Sequence, residues 1–221
     1  LYKHSMQSMK QVDALVLGSG IAGLNFALEL TDRDPHARVL VITKSSDLAE
    51  SATSWAQGGI AAATDGHSDI EAHISDTIRT GGGLSKIEAV QAVVNEGPGR
   101  VQDLIRRGVP FTKKTGPEEG KFDLAQEGGH SKRRIFHVAD HTGRAIMETL
   151  LQAAKANPRI ELVTETIAVD LVSDHKLSRI RGATGSTCLG AYLLHIPTNT
   201  VYPVNAKVTM IATGGAGKAY K

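Results

Sequence analysis

A glycine fingerprint near the start of the 221-residue chain has the residue types and spacing to bind a dinucleotide. The run Gly18-Ser19-Gly20-Ile21-Ala22-Gly23 follows the apolar stretch Val12–Leu17 and opens a helical pattern, and Arg38–Thr43 reads as a returning strand. In such a βαβ unit the first glycine allows a tight turn, the second lets the backbone approach a pyrophosphate, and the third lets the helix pack on the strand. The helix N-terminus offers N–H groups and a positive dipole end to phosphates. An ordinary glycine-rich turn is the alternative.

The residues after the second predicted strand argue against an ordinary NAD site. An acidic residue usually accepts the ribose hydrogen bonds about 20 residues beyond the glycines, and here Thr43-Lys44 stands there. Lys44 can lie near phosphate or adenosine, so this position alone leaves an NADP site open. Asp47 and Glu50 come slightly late for the ribose role.

A second segment, Ala52–Ala63, combines small residues with hydrogen-bonding groups. Two hydroxyl groups, the amide of Gln57 and a pair of glycines could approach a flat ring closely and bond to its edges. A small-residue loop that packs on a helix explains the same composition. Trp55 could stack on a flavin, but a lone aromatic residue in such a loop more often only packs.

Four segments, in this order, resemble the L-aspartate oxidase family: Gly18–Leu24, Ala56–Ala62, Glu127–Arg134 and Ala212–Gly217. This family is an FAD-dependent relative of the flavoprotein subunits of succinate dehydrogenase and fumarate reductase. The resemblance implies an α/β fold, with a Rossmann-type FAD-binding domain over residues 11–221 that has a parallel sheet and an antiparallel β-meander. Residues 1–10 are expected to be a disordered or artificial lead-in. Family members are longer, so we expect the N-terminal portion of a larger protein, without its capping domain.

The resemblance also implies an activity and a cofactor. The family oxidises L-aspartate to iminoaspartate with oxygen or fumarate as acceptor, and the product enters NAD biosynthesis, with quinolinate synthase as a partner. Ala52 stands where covalent-flavin relatives carry a histidine, so non-covalent FAD is expected. The implied cofactor contacts are Gly18, Ser19, Gly20, Ile21, Ala22, Gly23, Lys44, Ala52, Thr53, Ser54, Trp55, Ala56, Gln57, Gly58, Gly59, Ala168, Val169, Ala212, Thr213 and Gly214.

The segment Glu127–Ser131 can present a carboxylate beside flexible glycines. Aspartate carries two carboxylates and one ammonium, so its enzyme needs one anionic partner among cationic ones. By resemblance Glu127 recognises the substrate amino group, and the alternative is an ordinary exposed loop carboxylate. The family's proton-handling arginine and carboxylate-binding histidines lie beyond Lys221.

After Glu127, two histidines, His130 and His137, flank Arg133 and Arg134. They could form a positive rim for a dicarboxylate, although local hydrogen bonding is the more common use of such residues. No metal site is indicated, because no further ligand recurs at matching spacing.

Patterning predicts the remaining elements. Helices are expected at Ile87–Asn95 and Arg100–Arg107, separated by Pro98, and at Thr142–Ala156 with Thr142 as its N-cap. An N-cap turn also explains the pair Asp140-His141 better than a proton relay does. Thr115–Gly120 reads as a turn or mobile loop. The expected strands are Ile160–Val163, Ile167–Val172, Arg179–Ala183, Ala191–Ile196, Thr200–Val204 and Val208–Ala212, with a hairpin turn at Pro197–Asn199.

The amino-acid composition limits which partners and environments are expected for the chain. The 25 basic and 23 acidic side chains nearly balance, so a nucleic-acid partner is not expected. No apolar run reaches the roughly 18 residues of a membrane span. The one cysteine, Cys188, excludes an internal disulfide and is compatible with a reducing cytoplasm. The alternatives are a fumarate reductase or succinate dehydrogenase type flavoprotein, an NAD-dependent dehydrogenase, and a flavin-binding fragment without turnover.

Overall fold

The computed structural model describes residues 10–178 and 187–215. Within these ranges the strands are β1 (Lys10–Leu17), β2 (Val39–Ile42), β3 (Ile60–Ala61), β4 (Leu124–Ala125), β5 (Ile135–Phe136), β6 (Ile160–Val163), β7 (Thr166–Ser173), β8 (Cys188–His195) and β9 (Thr200–Ile211). The α-helices are α1 (Ile21–Arg33), α2 (His67–Thr80), α3 (Ile87–Arg106), α4 (Thr142–Ala156) and α5 (Asp174–Ser178). Short 3₁₀ turns lie at Ala52–Trp55 and Gly116–Glu118.

The chain divides into two compact units. The sheet unit comprises Leu1–Ala52 and Leu150–Lys221, and the helical unit comprises Thr53–Thr149. β1 begins at Lys10, the last residue of the predicted lead-in. The predicted strand at residues 179–183 lies outside the described residues. No helix in the described ranges is long and apolar enough to cross a membrane.

The sheet unit contains a six-stranded sheet in the order β6-β2-β1-β9-β8-β7. The first four of these strands are parallel, and β8 and β7 continue the sheet in antiparallel fashion. Every residue of β2 is buried, as are Ala14–Leu17 of β1, which is the pattern of central strands covered on both faces. The predicted α/β fold with a parallel sheet and an antiparallel meander is confirmed.

Helix α1 covers part of this sheet and completes the predicted βαβ unit. Its buried residues include Leu24, Ala27 and Leu28, which share one helical face. The helix begins directly after Gly20, so the sequence places its N-terminus at the carboxyl end of β1.

The last two predicted strands form one strand, β9. The polar residues Asn205 and Lys207 lie between the two predicted strands. Asn205 is nevertheless paired on both sides, with Gln11 of β1 and Gly190 of β8. The first half of β9 pairs with β8 and the second half with β1. The strand therefore joins the meander to the parallel part of the sheet.

The two helices predicted around Pro98 are also one helix, α3, which runs through the proline. A proline inside a helix removes one hydrogen bond and costs about 3 kcal/mol. Burial of Val94, Val101 and Leu104 on one continuous face offsets that cost. Gly108 follows the helix end: its φ is +98°, and its N–H and that of Val109 donate to carbonyls of the last turn.

The helical unit contains one helix and one sheet that the sequence did not predict. Helix α2 has Asp69, His73 and Asp76 as its buried residues, so its inward face is polar. Strands β3, β5 and β4 form a small antiparallel sheet in that order. Phe136 of this sheet stacks edge-on with Phe111 and Phe122, which gives the unit an aromatic centre.

Candidate cofactor and substrate site

The fingerprint turn is shaped by close contact between β1 and the end of β9. Gly18 has a φ of +119°, and a Cβ atom there would lie 2.3 Å from the Ala212 carbonyl oxygen. The Ala212 N–H donates to the Leu17 carbonyl at 2.9 Å. The structure thus brings the predicted contacts Ala212, Thr213 and Gly214 next to the predicted glycine turn, although nearly 200 residues of sequence lie between them.

The other two glycines of the fingerprint, Gly23 and Gly20, have different structural roles. A Cβ on Gly23 would lie 2.0 Å from the Gly18 carbonyl oxygen and 3.0 Å from Val16 Cγ1, which confirms close helix–strand packing. Gly20 is the N-cap of α1, with φ −71° and ψ −177°, and no side chain caps the helix there. The first turn of α1 contains no acidic residue. The fingerprint therefore fits a phosphate group, which the positive end of the helix dipole attracts.

The neighbouring predicted contacts are arranged around the end of β2. Ser19 is buried and its hydroxyl donates to the Leu48 carbonyl at 2.9 Å, so this hydroxyl fixes the segment after β2. Lys44 is exposed directly after β2. The Thr166 N–H donates to the Thr43 carbonyl at 2.9 Å, which brings the start of β7, with the predicted contacts Ala168 and Val169, close to Lys44.

In the helical unit, the AQGG segment (Ala56–Gly59) is exposed and follows Trp55, whose surface is 73% exposed. A Cβ on Gly59 would lie 2.2 Å from Ile135 Cγ2 and 2.5 Å from the Phe136 carbonyl oxygen, so β5 itself requires this glycine. Gly58 has more room: a Cβ there would lie 3.5 Å from Glu127 Oε1, an ordinary van der Waals distance. A small residue at Gly58 keeps this exposed surface open to a ligand.

Gly143, which sequence reasoning missed, supports the same segment. Its N–H donates to the Ala56 carbonyl at 3.0 Å, and a Cβ would lie 2.0 Å from the Thr53 carbonyl oxygen. The sequence signal was a glycine in the first turn of α4, where alanine or a charged residue is usual.

The expected N-cap was wrong: α4 begins at Thr142, whose hydroxyl accepts the Val138 N–H at 3.0 Å in the preceding turn.

Glu127 is exposed beside the AQGG segment. Within the described ranges no cationic side chain forms an ion pair with it. The His130 N–H donates to the Glu127 carbonyl at 3.2 Å, so Glu127 and His130 form a turn. The structure therefore joins two predicted site residues, Glu127 and Gly58, and leaves the carboxylate available to a cationic group.

Arg134 corrects the predicted positive rim, because its side chain is completely buried. Its guanidinium bonds to Asp69 Oδ1 at 3.0 Å and to Asp76 Oδ2 at 2.9 Å. Both carboxylates come from α2 and neither was predicted as a site residue. Arg133 is exposed and donates to the Leu124 carbonyl, so the local hydrogen-bonding interpretation holds for both arginines.

The buried carboxylates remain ionised. Burial alone would raise the pKa of Asp76, but hydrogen bonds from Arg134 and Ser131 outweigh it and hold that pKa well below its usual range. Burial is likewise outweighed at Asp69, where the Thr64 N–H and Arg134 lower the pKa. Burial, and then the charge of Arg134, lower the pKa of His73.

Two further histidines lie near carboxylates, and their side chains are at least partly exposed. His141 Nδ1 lies 3.3 Å from Asp140 Oδ1, and both side chains are exposed. His137 Nε2 lies 3.8 Å from Asp123 Oδ2. The described residues hold no cluster of three or more His, Cys, Asp or Glu side chains that could bind a metal ion.

The family profile described as "FAD binding domain" matches residues 13–221. The chain belongs to this FAD binding domain family. The match confirms FAD as the cofactor, and the open N-terminus of α1 with its glycine turn fits that group. The individual contacts predicted for FAD stay predictions.

Curated relatives are L-aspartate oxidases. The enzyme of Pseudomonas aeruginosa is 44% identical over 219 residues, which is 97% of this chain and 39% of that protein. L-aspartate oxidase 1 of Ralstonia nicotianae is 45% identical over 94% of this chain and 37% of its own length. The chain thus spans about two-fifths of the length of these relatives.

Solved structures give the same fold. An E. coli quinol fumarate reductase aligns with a TM-score of 0.84 at 28% identity, over 96% of this chain and 34% of that one. The Sdh1 complex of Mycobacterium smegmatis aligns with a TM-score of 0.79 at 27% identity, over 96% of this chain and 36% of that one. The chain is therefore similar to flavoproteins of the succinate dehydrogenase and fumarate reductase type.

Proposed function

We propose that the full-length protein is an FAD-dependent L-aspartate oxidase that forms iminoaspartate, with oxygen or fumarate as the electron acceptor. The observation that carries the proposal is the exposed Glu127 carboxylate beside Gly58, free of an ion pair among the described residues. A substrate with an ammonium group offers the charge that this carboxylate lacks. The 44% identity to an L-aspartate oxidase, against 28% to a fumarate reductase, supports the same conclusion.

Bound FAD supplies a hydride acceptor, which no side chain can provide. We propose that the fingerprint Gly18–Gly23 and the N-terminus of α1 hold the pyrophosphate, and that Lys44 and the start of β7 lie near the adenosine. The Ala52–Gly59 segment contacts the flavin. Glu127 accepts hydrogen bonds from the substrate ammonium and so orients the substrate by its amino end.

The proposed product enters NAD biosynthesis, and quinolinate synthase is the proposed partner that consumes it. A cytoplasmic location agrees with the single cysteine, which can form no internal disulfide. The first test is anaerobic addition of L-aspartate to the purified full-length protein, which should bleach the flavin absorbance. Bleaching by succinate and not by aspartate would contradict the proposal and favour a succinate dehydrogenase type activity.

FAD is expected to be bound without a covalent link. Ala52 carries only a methyl group, which cannot form a bond to a flavin, at the position where the covalent relatives have a histidine. Acid precipitation of the full-length protein should therefore release the yellow cofactor into the supernatant. Flavin that remains with the pellet after washing would contradict this expectation.

Substitution of Glu127 by Gln is expected to reduce selectivity for aspartate. A lost charge-assisted hydrogen bond is worth about 1.5–3 kcal/mol, so kcat/KM for aspartate should fall roughly ten- to a hundredfold relative to fumarate. Fumarate reduction should persist or improve, because fumarate has no ammonium group and is repelled by a nearby carboxylate. Both activities are measured on the full-length enzyme.

Glu119→Gln is the matched control, because Glu119 is another exposed carboxylate of the helical unit. This variant should leave both activities unchanged. An equal loss of aspartate and fumarate turnover in Glu127→Gln would mean that Glu127 has a structural role only.

A further inference from the structure

Asp76 links helix α2 to the segment that carries Glu127. Its Oδ2 atom accepts hydrogen bonds from the Ser131 N–H at 2.7 Å and from the Ser131 hydroxyl at 2.7 Å, in addition to the bond from Arg134. Its Oδ1 atom accepts a bond from Arg79 at 2.8 Å, and Arg79 also donates to the Gly129 carbonyl at 3.1 Å. The buried carboxylate therefore holds Ser131 directly and Gly129 through Arg79.

His130, in the middle of this segment, is held by the same network. Arg134 Nη1 lies 3.0 Å from His130 Nδ1, and because arginine can only donate, Nδ1 accepts. The Gln126 amide donates to the His130 carbonyl at 2.8 Å, and the His130 N–H donates to the Glu127 carbonyl. A continuous chain of hydrogen bonds thus runs from Asp76 and Arg134 to the backbone of Glu127.

Packing restricts the segment further. Gly129 has a φ of +89°, and a Cβ there would lie 2.7 Å from Thr80 Cγ2 of α2. The segment therefore lies directly against the helix. Two residues before Gly129, the Glu127 carboxylate lies beside Gly58.

The two bonds from Ser131 help to satisfy the Asp76 carboxylate, because Asp76 shares Arg134 with Asp69. Their donors lie on an exposed residue outside the buried cluster. Both donors belong to the segment that presents Glu127. Their effect is to fix where that segment lies on α2.

We propose that Asp76 and Ser131 are positioning residues for substrate recognition. They hold residues 129–131 on α2, and this places the Glu127 carboxylate beside the AQGG segment, where it meets the substrate ammonium. The inference rests on the proposed function and adds residues that act through Glu127 without touching the substrate.

The test uses Ser131→Ala in the full-length holoenzyme. Loss of one bond to a charged positioning group should lower kcat/KM for aspartate roughly three- to tenfold, mainly through a higher KM, with fumarate reduction changed less than about twofold. Ser131→Thr, which keeps the hydroxyl, should restore the activity. The matched control is Thr77→Ala, which removes an α2 hydroxyl that donates to the His73 carbonyl at 2.8 Å and should leave kinetics unchanged.

Two further measurements separate the possible failures. In the Glu127→Gln background, Ser131→Ala should have no additional effect on aspartate selectivity, because both changes act on one interaction. Amide exchange of residues 127–131 should be faster in Ser131→Ala and unchanged in Thr77→Ala. Additive effects, a parallel loss on both substrates, or unchanged exchange would each overturn the positioning role. Absence of aspartate oxidation by the wild-type enzyme would instead refute the proposed function, whatever the exchange shows.

Discussion

Replacement of Arg134 by Met should destabilise the full-length protein by about 3–5 kcal/mol, the usual cost of removing one partner from a buried ion pair. The guanidinium is completely buried between Asp69 and Asp76, and methionine fills similar space but leaves Asp69 without a cation and Asp76 with only the largely exposed Arg79. The measurement is the free energy of unfolding at pH 7 from denaturant titration. Arg133→Met is the control: its exposed side chain donates one bond to a carbonyl, so a change within about 0.5 kcal/mol is expected.

A compensating variant tests the cause. If the uncompensated charges are responsible, then Asp69→Asn and Asp76→Asn added to Arg134→Met should restore part of the lost stability, since the buried carboxylates are then neutral. Further additive loss would show that packing and not charge explains the effect.

The same charges predict a pH dependence. The pKa values of Asp69 and Asp76 are lowered in the folded protein, so their stabilising contribution is fully present above the unfolded value of about 3.9 and is lost as pH falls below it, through the folded values. Without Arg134 the burial of both groups raises their folded pKa values. The stability difference between wild type and Arg134→Met should therefore shrink as the pH falls from 7 toward 3. A constant difference across this range would contradict the electrostatic explanation.

Helix α2 shows why part of the fold could not be predicted from the sequence. Asp69, His73 and Asp76 have the spacing of an inward helical face, but methods that look for an apolar stripe discount titratable residues there. The buried Arg134, 65 residues beyond Asp69, pairs with both carboxylates of that face. The pairing of charged residues distant in sequence cannot be read from periodicity.

The parallel sheet and the fingerprint were predictable for the opposite reason. In Val12–Leu17 and the fingerprint after it, local pattern and tertiary role coincide. The strand is apolar because both of its faces are covered, and Gly18 and Gly23 each meet a local steric demand. Errors arose where the tertiary structure overrode a local signal. Burial of Val101 and Leu104 carried α3 through Pro98, and pairing on both edges carried β9 through Asn205.

Some residues of the candidate site could be recognised in the sequence, and others could not. The glycines of the fingerprint and the AQGG segment are recognisable because close backbone approach admits few other residues. Gly143 supports the AQGG segment from α4, and Asp76 supports the segment that carries Glu127 from α2. Nothing near either residue in the sequence indicates what it contacts. Supporting residues of this kind require the three-dimensional arrangement.

Substitution of Gly20 by Val should strongly weaken FAD binding while the fold survives. The backbone of Gly20 has φ −71° and is half-buried at the N-cap of α1, a conformation that any residue adopts. This backbone conformation does not itself require glycine, whereas a side chain would occupy the space that the pyrophosphate needs. Overpacking against a rigid group costs about 1–3 kcal/mol or more, so FAD affinity should fall roughly fivefold to more than a hundredfold.

The comparison with Gly23→Val makes this prediction specific. A Cβ on Gly23 would lie 2.0 Å from the Gly18 carbonyl oxygen, so valine there should disrupt the packing of α1 on β1 and lower the thermal stability of the protein even without cofactor. Flavin absorbance per polypeptide and the melting temperature of the apoprotein are measured for both variants. Gly20→Val should lose flavin and keep the apoprotein melting temperature, and Gly23→Val should lose both. Normal flavin content in a folded Gly20→Val protein would show that the pyrophosphate does not approach this turn, and the assignment of the fingerprint to FAD would then be wrong.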